Sequence, residues 1–118
     1  MNSKELLEMA VKAGDGRRAE DITALQVDEI SPMADYFVIM TGGSDRQVQA
    51  IANAIIEKAH ENGVNIGSVE GKNHAHWVLI DLGDVVVHVF REETRHFYNL
   101  EKLWSDAPIV NVNQWVND

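Results

Sequence analysis

Apolar residues recur at helical spacing near the start of the chain. Leu6, Leu7, Ala10 and Val11 fall on one stripe. Asn2 is a capping residue, and Glu5 three positions later completes a box-like start. Gly14 and Gly16, around Asp15, are expected to end this helix. Residues 22–27 alternate weakly and predict a strand, and 31–34 hold a proline turn. Residues 36–40 (YFVIM) form a continuous apolar run of strand length, the signature of a central strand buried on both faces. After Thr41-Gly42-Gly43-Ser44 the period returns to that of a helix. Ser44 with Gln47 forms a capping box. Val48, Ile51, Ala52, Ile55 and Ala59 make the buried stripe, and Gln49, Asn53, Glu57 and His60 the wet face. Gly63 is placed to stop this helix at C′.

Residues 66–69 then predict a strand, and strand–helix–strand in this order suggests a right-handed parallel crossover. A polar loop at 70–74 leads into a hairpin, with strands 77–82 and 85–90 around Gly83-Asp84. A short helix follows from Glu92, with Phe97, Leu100, Leu103 and Trp104 as its apolar positions. The tail at 108–118 has no clear period and is expected to be loosely attached, with Trp115 as an anchor. The fold class is α/β: one domain at 1–107, a mixed sheet of about five strands with helices packed on it.

The 118 residues suit a single domain able to bury a core without staples. There are no cysteines, which excludes disulfides and thiolate zinc sites. The N-terminal segment is amphipathic and carries acids, unlike a signal peptide, so the expected location is cytoplasmic. The net charge of −9 repels a phosphate backbone. It predicts little direct nucleic-acid contact, and it fits a basic partner and solubility alone equally well. No membrane partner is expected, since no apolar run reaches the ~18 residues needed to span a bilayer.

Several constellations carry candidate chemistry. The Gly42-Gly43 pair before a capped helix is a candidate anion site. However, neither G-x-G-x-x-G nor a P-loop is present, and such a pair is more often just a tight turn. The strand–GGS–helix order also resembles nucleotidyltransferases, which hold catalytic metals on two carboxylates of the following strand. Here that strand ends in Glu70 alone, so the chemistry is expected to be absent even if the fold is shared. His74, His76 and His88 are imidazoles that zinc accepts. His88, set in a run of valines, reads better as a core histidine bonded to a carbonyl. Asp81 and Asp84 flank a glycine and read as turn residues rather than as an acid–base pair. No catalytic residue, cofactor or metal is assigned. In the hairpin, Trp77, Leu79 and Asp81 share one face, and Val78, Ile80 and Leu82 the other. With large apolar groups on both faces, the pattern fits Trp77 as core or as an exposed interaction patch equally well.

Three blocks then carry a resemblance. ADYFVIMTG at 34–42 with SDRQVQAIA at 44–52 is similar to the signature of the ribosomal silencing factor (Iojap-like) family. Glu70-Gly71, WVLID at 77–81 and GDVVVHVF at 83–90 match a second block, and YNLEKLW at 98–104 resembles its closing motif. The likeness runs in order from Leu6 to Ala107. Leu82 stands where the family often has an aromatic. The resemblance implies a nucleotidyltransferase-like fold without the catalytic carboxylates. It implies binding to the large ribosomal subunit through ribosomal protein L fourteen (uL-fourteen). That binding would block joining of the small subunit, repress translation under nutrient limitation and assist large-subunit maturation. It also implies self-association as a homodimer. The contact surface carried over comprises Lys72, Asn73, His74, Trp77, Asp81 and Leu82, with Arg91, Tyr98, Leu100, Leu103 and Trp104 as additions or core support. On this resemblance Trp77 moves toward the interface. The competing readings are a nucleotide-binding protein of nucleotidyltransferase fold and a general dimerising scaffold that pairs through an edge strand or the Trp104 region.

Overall fold

The computed structural model describes residues 1–116; Asn117 and Asp118, the last two positions of the expected tail, lie outside it. The first helix, α1, spans Ser3–Asp15 and opens on the expected capping box. Asn2 Oδ1 accepts from the Glu5 N–H at 2.8 Å, and Glu5 Oε1 accepts from the Asn2 N–H at 2.9 Å. Gly14 does not end this helix; Gly16 caps it. Gly14 is buried, and a Cβ there would collide with the Met40 thioether. The glycine thus lets the helix end press directly onto the sheet.

Strand β1 (Glu20–Gln26) leads to β2 (Tyr36–Gly42), the long helix α2 (Asp45–Glu61) and a short β3 (Ser68–Glu70). The hairpin follows as β4 (Trp77–Asp81) and β5 (Val85–Arg91), with Gly83 at φ +89° in the turn. Then come α3 (Glu92–Tyr98), a single turn α4 (Leu100–Leu103), β6 (Ile109–Val110) and a 3₁₀ turn (Asn113–Trp115). The sheet has six strands in the order β3-β4-β5-β2-β1-β6. It is mixed: β2 and β5 run parallel, and the other pairs are antiparallel.

Three expectations are corrected here. The strand after α2 does not pair with β2. It lies at the far edge, beside β4, and the parallel neighbour of β2 is β5. The physical reason is burial. β2 and β5 are the two continuous apolar runs and take the centre, where both faces are covered. Ser68-Val69-Glu70 is short, half polar and suited to an edge. Next, the helix predicted from Glu92 breaks at Asn99, which adopts the left-handed conformation at φ +48°. Asparagine tolerates that geometry better than most residues. Finally, the described part of the tail is not loose: Ile109 and Val110 pair with Leu25 and Ala24, Val112 is buried, and Trp115 packs against the main core.

Alternation divides the strands into two faces. Val38, Met40, Val78, Ile80, Val87 and Val89 point toward α1 and α2 and join their stripes in the larger core. The five predicted stripe residues of α2 are all fully buried there. Ile39 and Phe90 point the other way, with Leu25, Val27 and Ala107. That second face is covered less completely, by Leu100, Trp104 and the chain around them. No helix among the described residues is long and apolar enough to cross a membrane.

Candidate docking surface

The second face of the sheet carries a connected row of aromatic rings. Trp77 lies directly opposite Phe90 across the β4–β5 pair, with ring centroids 4.9 Å apart. Tyr98, from the end of α3, approaches Trp77 from above at 4.8 Å. His88 stands two residues before Phe90 on the same face and stacks on it at 6.2 Å. Phe37 on β2 meets His88 edge-on at 5.6 Å and Trp104 edge-on at 5.1 Å. Such tilted and T-shaped pairs are favoured by the ring quadrupoles.

Trp77 is half-buried, so it belongs wholly to neither of the two readings open to it. Its neighbours outward are not covered. Phe97 is 81% exposed, Leu103 72% and Tyr98 51%. The sequence pattern placed Phe97 and Leu103 on the apolar side of a short helix. The break at Asn99 turns them to water and leaves Leu100 and Trp104 to pack on the sheet. An apolar group of this kind, contiguous with a half-buried tryptophan, is what a protein interface uses as its core.

Arg95 holds this region in place. It is buried and spends its guanidinium on four partners. It donates to the Asp21 carbonyl (2.6 Å), Thr41 Oγ1 (2.7 Å), Glu101 Oε1 (2.9 Å) and Thr23 Oγ1 (3.2 Å). These contacts tie α3 to the sheet and α4 to α3. Nothing in the local pattern marks Arg95, because its sheet partners lie far away in sequence.

The remaining expected contact residues divide. Lys72, Asn73 and His74 stand exposed on the loop before β4. Gln49 Nε2 donates to the Lys72 carbonyl at 3.2 Å and braces that loop against α2. Gly71 turns it at φ +80°, where a Cβ would strike the Trp77 carbonyl. Leu82 is 3% exposed and belongs to the core beneath α1 and α2, so the expectation that it forms part of the surface is corrected. Even numbering puts it on the helix side, with Val78 and Ile80. Arg91 pairs with Asp45 at 2.6 Å and Glu93 at 3.4 Å, and acts as internal support at the start of α2. The hydrogen bond to Asp45 raises its guanidinium above the ordinary value. Asp81 is half-buried, and its Oδ1 accepts from the Gly83 N–H at 2.9 Å, as a turn residue does.

His88 is a core histidine, but the expected carbonyl partner is replaced by Trp77, whose indole N–H donates to Nδ1 at 3.0 Å. Burial lowers its pKa to about 4, so the ring is neutral at physiological pH and free to accept. His74 and His76 are exposed on the loop side. Among the described residues, no group of three His, Cys, Asp or Glu side chains is arranged to hold a metal ion.

The glycine turn before α2 is filled from within. Ser44 Oγ accepts from the Gln47 N–H at 3.1 Å. The reciprocal bond of the expected box is displaced by one residue: Gln47 Oε1 accepts from the Gly43 N–H at 2.6 Å. Gln47 Nε2 also donates to the Arg18 carbonyl at 3.0 Å. Two of the donors at this turn, the Gly43 and Gln47 N–H groups, are thus occupied by the protein's own side chains. The nucleotide-binding reading has no support here.

The chain is a mixed-sheet α/β domain with an open aromatic face, an arrangement suited to binding another protein. The comparisons place it further. The profile described as "Ribosomal silencing factor during starvation" matches residues 1–118. The chain is 54% identical over 117 residues to ribosomal silencing factor RsfS of Bacillus subtilis (strain 168), covering 99% of each. A crystal structure of a protein from Bacillus halodurans superposes with a TM-score of 0.83 at 51% identity, over 92% of this chain and 98% of that one. One from Chromobacterium violaceum gives 0.88 at 37% identity, over 89% and 88%. The chain therefore belongs to the ribosomal silencing factor family, a non-catalytic family that binds the large ribosomal subunit and regulates translation.

Proposed function

We propose that this protein silences translation in the cytoplasm by docking on ribosomal protein L fourteen (uL-fourteen) of the large subunit. There it occupies the surface that the small subunit must reach. The observation that carries this reading is the exposed pair Tyr98 and Phe97 continuing outward from Trp77, with Leu103 also exposed on the following turn. Lys72, Asn73 and His74 stand exposed on the loop that leads into β4 and Trp77, and Asp81 shapes the turn at the far end of that strand. The acidic chain, at −9, steers toward a basic ribosomal protein. Steric occupancy needs no bond made or broken. The same occupancy on unfinished large subunits assists their maturation.

Co-sedimentation with purified large subunits tests the reading, and light scattering on mixing both subunits reports joining. Phe97→Ala and Leu103→Ala remove exposed groups and keep the fold. Truncating the aromatic anchor, Trp77→Ala, costs about 2 kcal/mol of binding, roughly thirty-fold in Kd. All three variants are expected to restore subunit joining. If the two exposed-residue variants and Trp77→Ala bind like the parent at low salt, this face is not the docking surface.

A further inference from the structure

Trp77 is half-buried between three rings, those of His88, Phe90 and Tyr98. Phe90 and Tyr98 both meet it at a tilt, with interplanar angles of 33° and 50°. The indole N–H is a donor with no acceptor capacity, and it must find a partner when it leaves water. It finds Nδ1 of His88, at 3.0 Å. His88 reaches it diagonally, since the residue directly across from His88 is Leu79 and the one across from Trp77 is Phe90.

His88 itself is held firmly. Its ring lies nearly parallel to Phe90, at 11°, and takes the edge of Phe37 at 78°. Its backbone belongs to β5, which is paired on both sides. It is a firmly held acceptor beside a ring that its other aromatic neighbours meet only at a tilt.

We infer that His88 is the positioning residue of the docking face: its imidazole accepts from the Trp77 indole N–H and fixes the tilt of the ring that the ribosomal partner meets. This rests on the reading of Trp77 as part of that face. The bond requires an Nδ1 without a proton: burial keeps the ring neutral through the physiological range, and the indole N–H pointing at Nδ1 selects the tautomer that carries its proton on Nε2. Without the acceptor, the half-buried N–H gains by turning toward water, and the ring turns with it. The outer rings stay where α3 puts them, so the two parts of the surface fall out of register.

Three variants test this, each with two readouts: affinity for purified large subunits and the indole N–H resonance of Trp77. His88→Leu keeps bulk and removes the acceptor; it is expected to weaken binding about ten-fold and to move the resonance to the position of an unbonded indole. His88→Asn places Oδ1 near the position of Nδ1 and is expected to recover most of the affinity and the shifted resonance. Trp77→Phe keeps an aromatic ring and removes the donor. It is expected to weaken binding about as much as His88→Leu, and adding His88→Leu to it should cost nothing further. Should His88→Leu not fold, Trp77→Phe alone decides. Parent-like binding by Trp77→Phe, with Trp77→Ala defective, overturns the positioning role and leaves the docking face standing. Parent-like binding by Trp77→Ala overturns both. Equal loss in His88→Leu and His88→Asn, or an additive double variant, shows that His88 acts by packing and also overturns the inference.

Discussion

Replacing Arg95 with alanine removes the clamp that sets α3 and α4 on the sheet. Its four hydrogen bonds do not weigh equally. Glu101 is partly exposed, and its carboxylate can turn to water when the guanidinium goes. The bond to the Asp21 carbonyl is part-buried. Thr41 is 2% exposed and has no water to turn to. The short bonds to the Asp21 carbonyl (2.6 Å) and Thr41 Oγ1 (2.7 Å) are charge-assisted, and each is worth about 1.5 kcal/mol. The expected destabilisation is therefore about 3 kcal/mol. For a domain of this size, that lowers Tm by about 12 °C, at ~4 °C per kcal/mol. Differential scanning calorimetry on Arg95→Ala and the parent measures it. Amide exchange should accelerate first across α3 and α4, since they lose their tie to the sheet. Glu101→Gln keeps an acceptor and should cost less than about 1 kcal/mol. A drop in Tm of under ~4 °C for Arg95→Ala, or one equal to that of Glu101→Gln, would refute the account of Arg95 as the anchor of this region.

Acid should destabilise the fold through His88. Its folded pKa of about 4 lies below the ordinary 6.5, so the unfolded chain binds the proton more readily. Stability from this group is complete above pH 6.5 and is lost as the pH falls toward 4, by about 3 kcal/mol in total; urea melts at pH 7 and pH 5 should differ in the parent and much less in His88→Asn. Gly71→Ala forces a Cβ onto the Trp77 carbonyl at a positive φ, and should cost several kcal/mol and disturb the start of β4, read by thermal melting. Asn2→Ala opens the capping box of α1 at an exposed site, and should cost only about 1 kcal/mol by the same melt. Binding to large subunits should weaken in co-sedimentation as salt rises from low to physiological ionic strength, because charge steers the encounter; an affinity indifferent to salt would show that apolar contact alone sets it.

Much of the fold was legible because local period and caps agreed with it. The stripe of α2, the YFVIM strand and the hairpin at Gly83 are where the pattern put them. What the pattern could not supply was pairing over distance. β5 lies beside β2 because both are apolar on each face, and no local rule brings 85–91 next to 36–42. The tail lacked a period because two residues of strand carry none, yet they complete the sheet edge. In the site, Trp77 was visible as a large apolar residue in a hairpin, but its half-burial depends on Tyr98 arriving from α3. Phe97 and Leu103 fit a helix stripe, and only the turn at Asn99 exposes them. His88 stood out as the polar residue in a valine run. The partner it chose is a side chain on the neighbouring strand, and diagonal contacts of that kind leave no mark in either strand's own sequence.

The parallel union of β2 with β5 also sets how the chain must fold. β1 and β2 are near neighbours in sequence and can zip together early. The other edge of β2 waits for a partner about fifty residues downstream, and closing so long a loop is entropically slow. Until it arrives, the most apolar strand of the molecule presents a bare backbone edge, the kind that recruits other chains. During synthesis this interval is bounded by how quickly residues 85–91 emerge after residues 36–42.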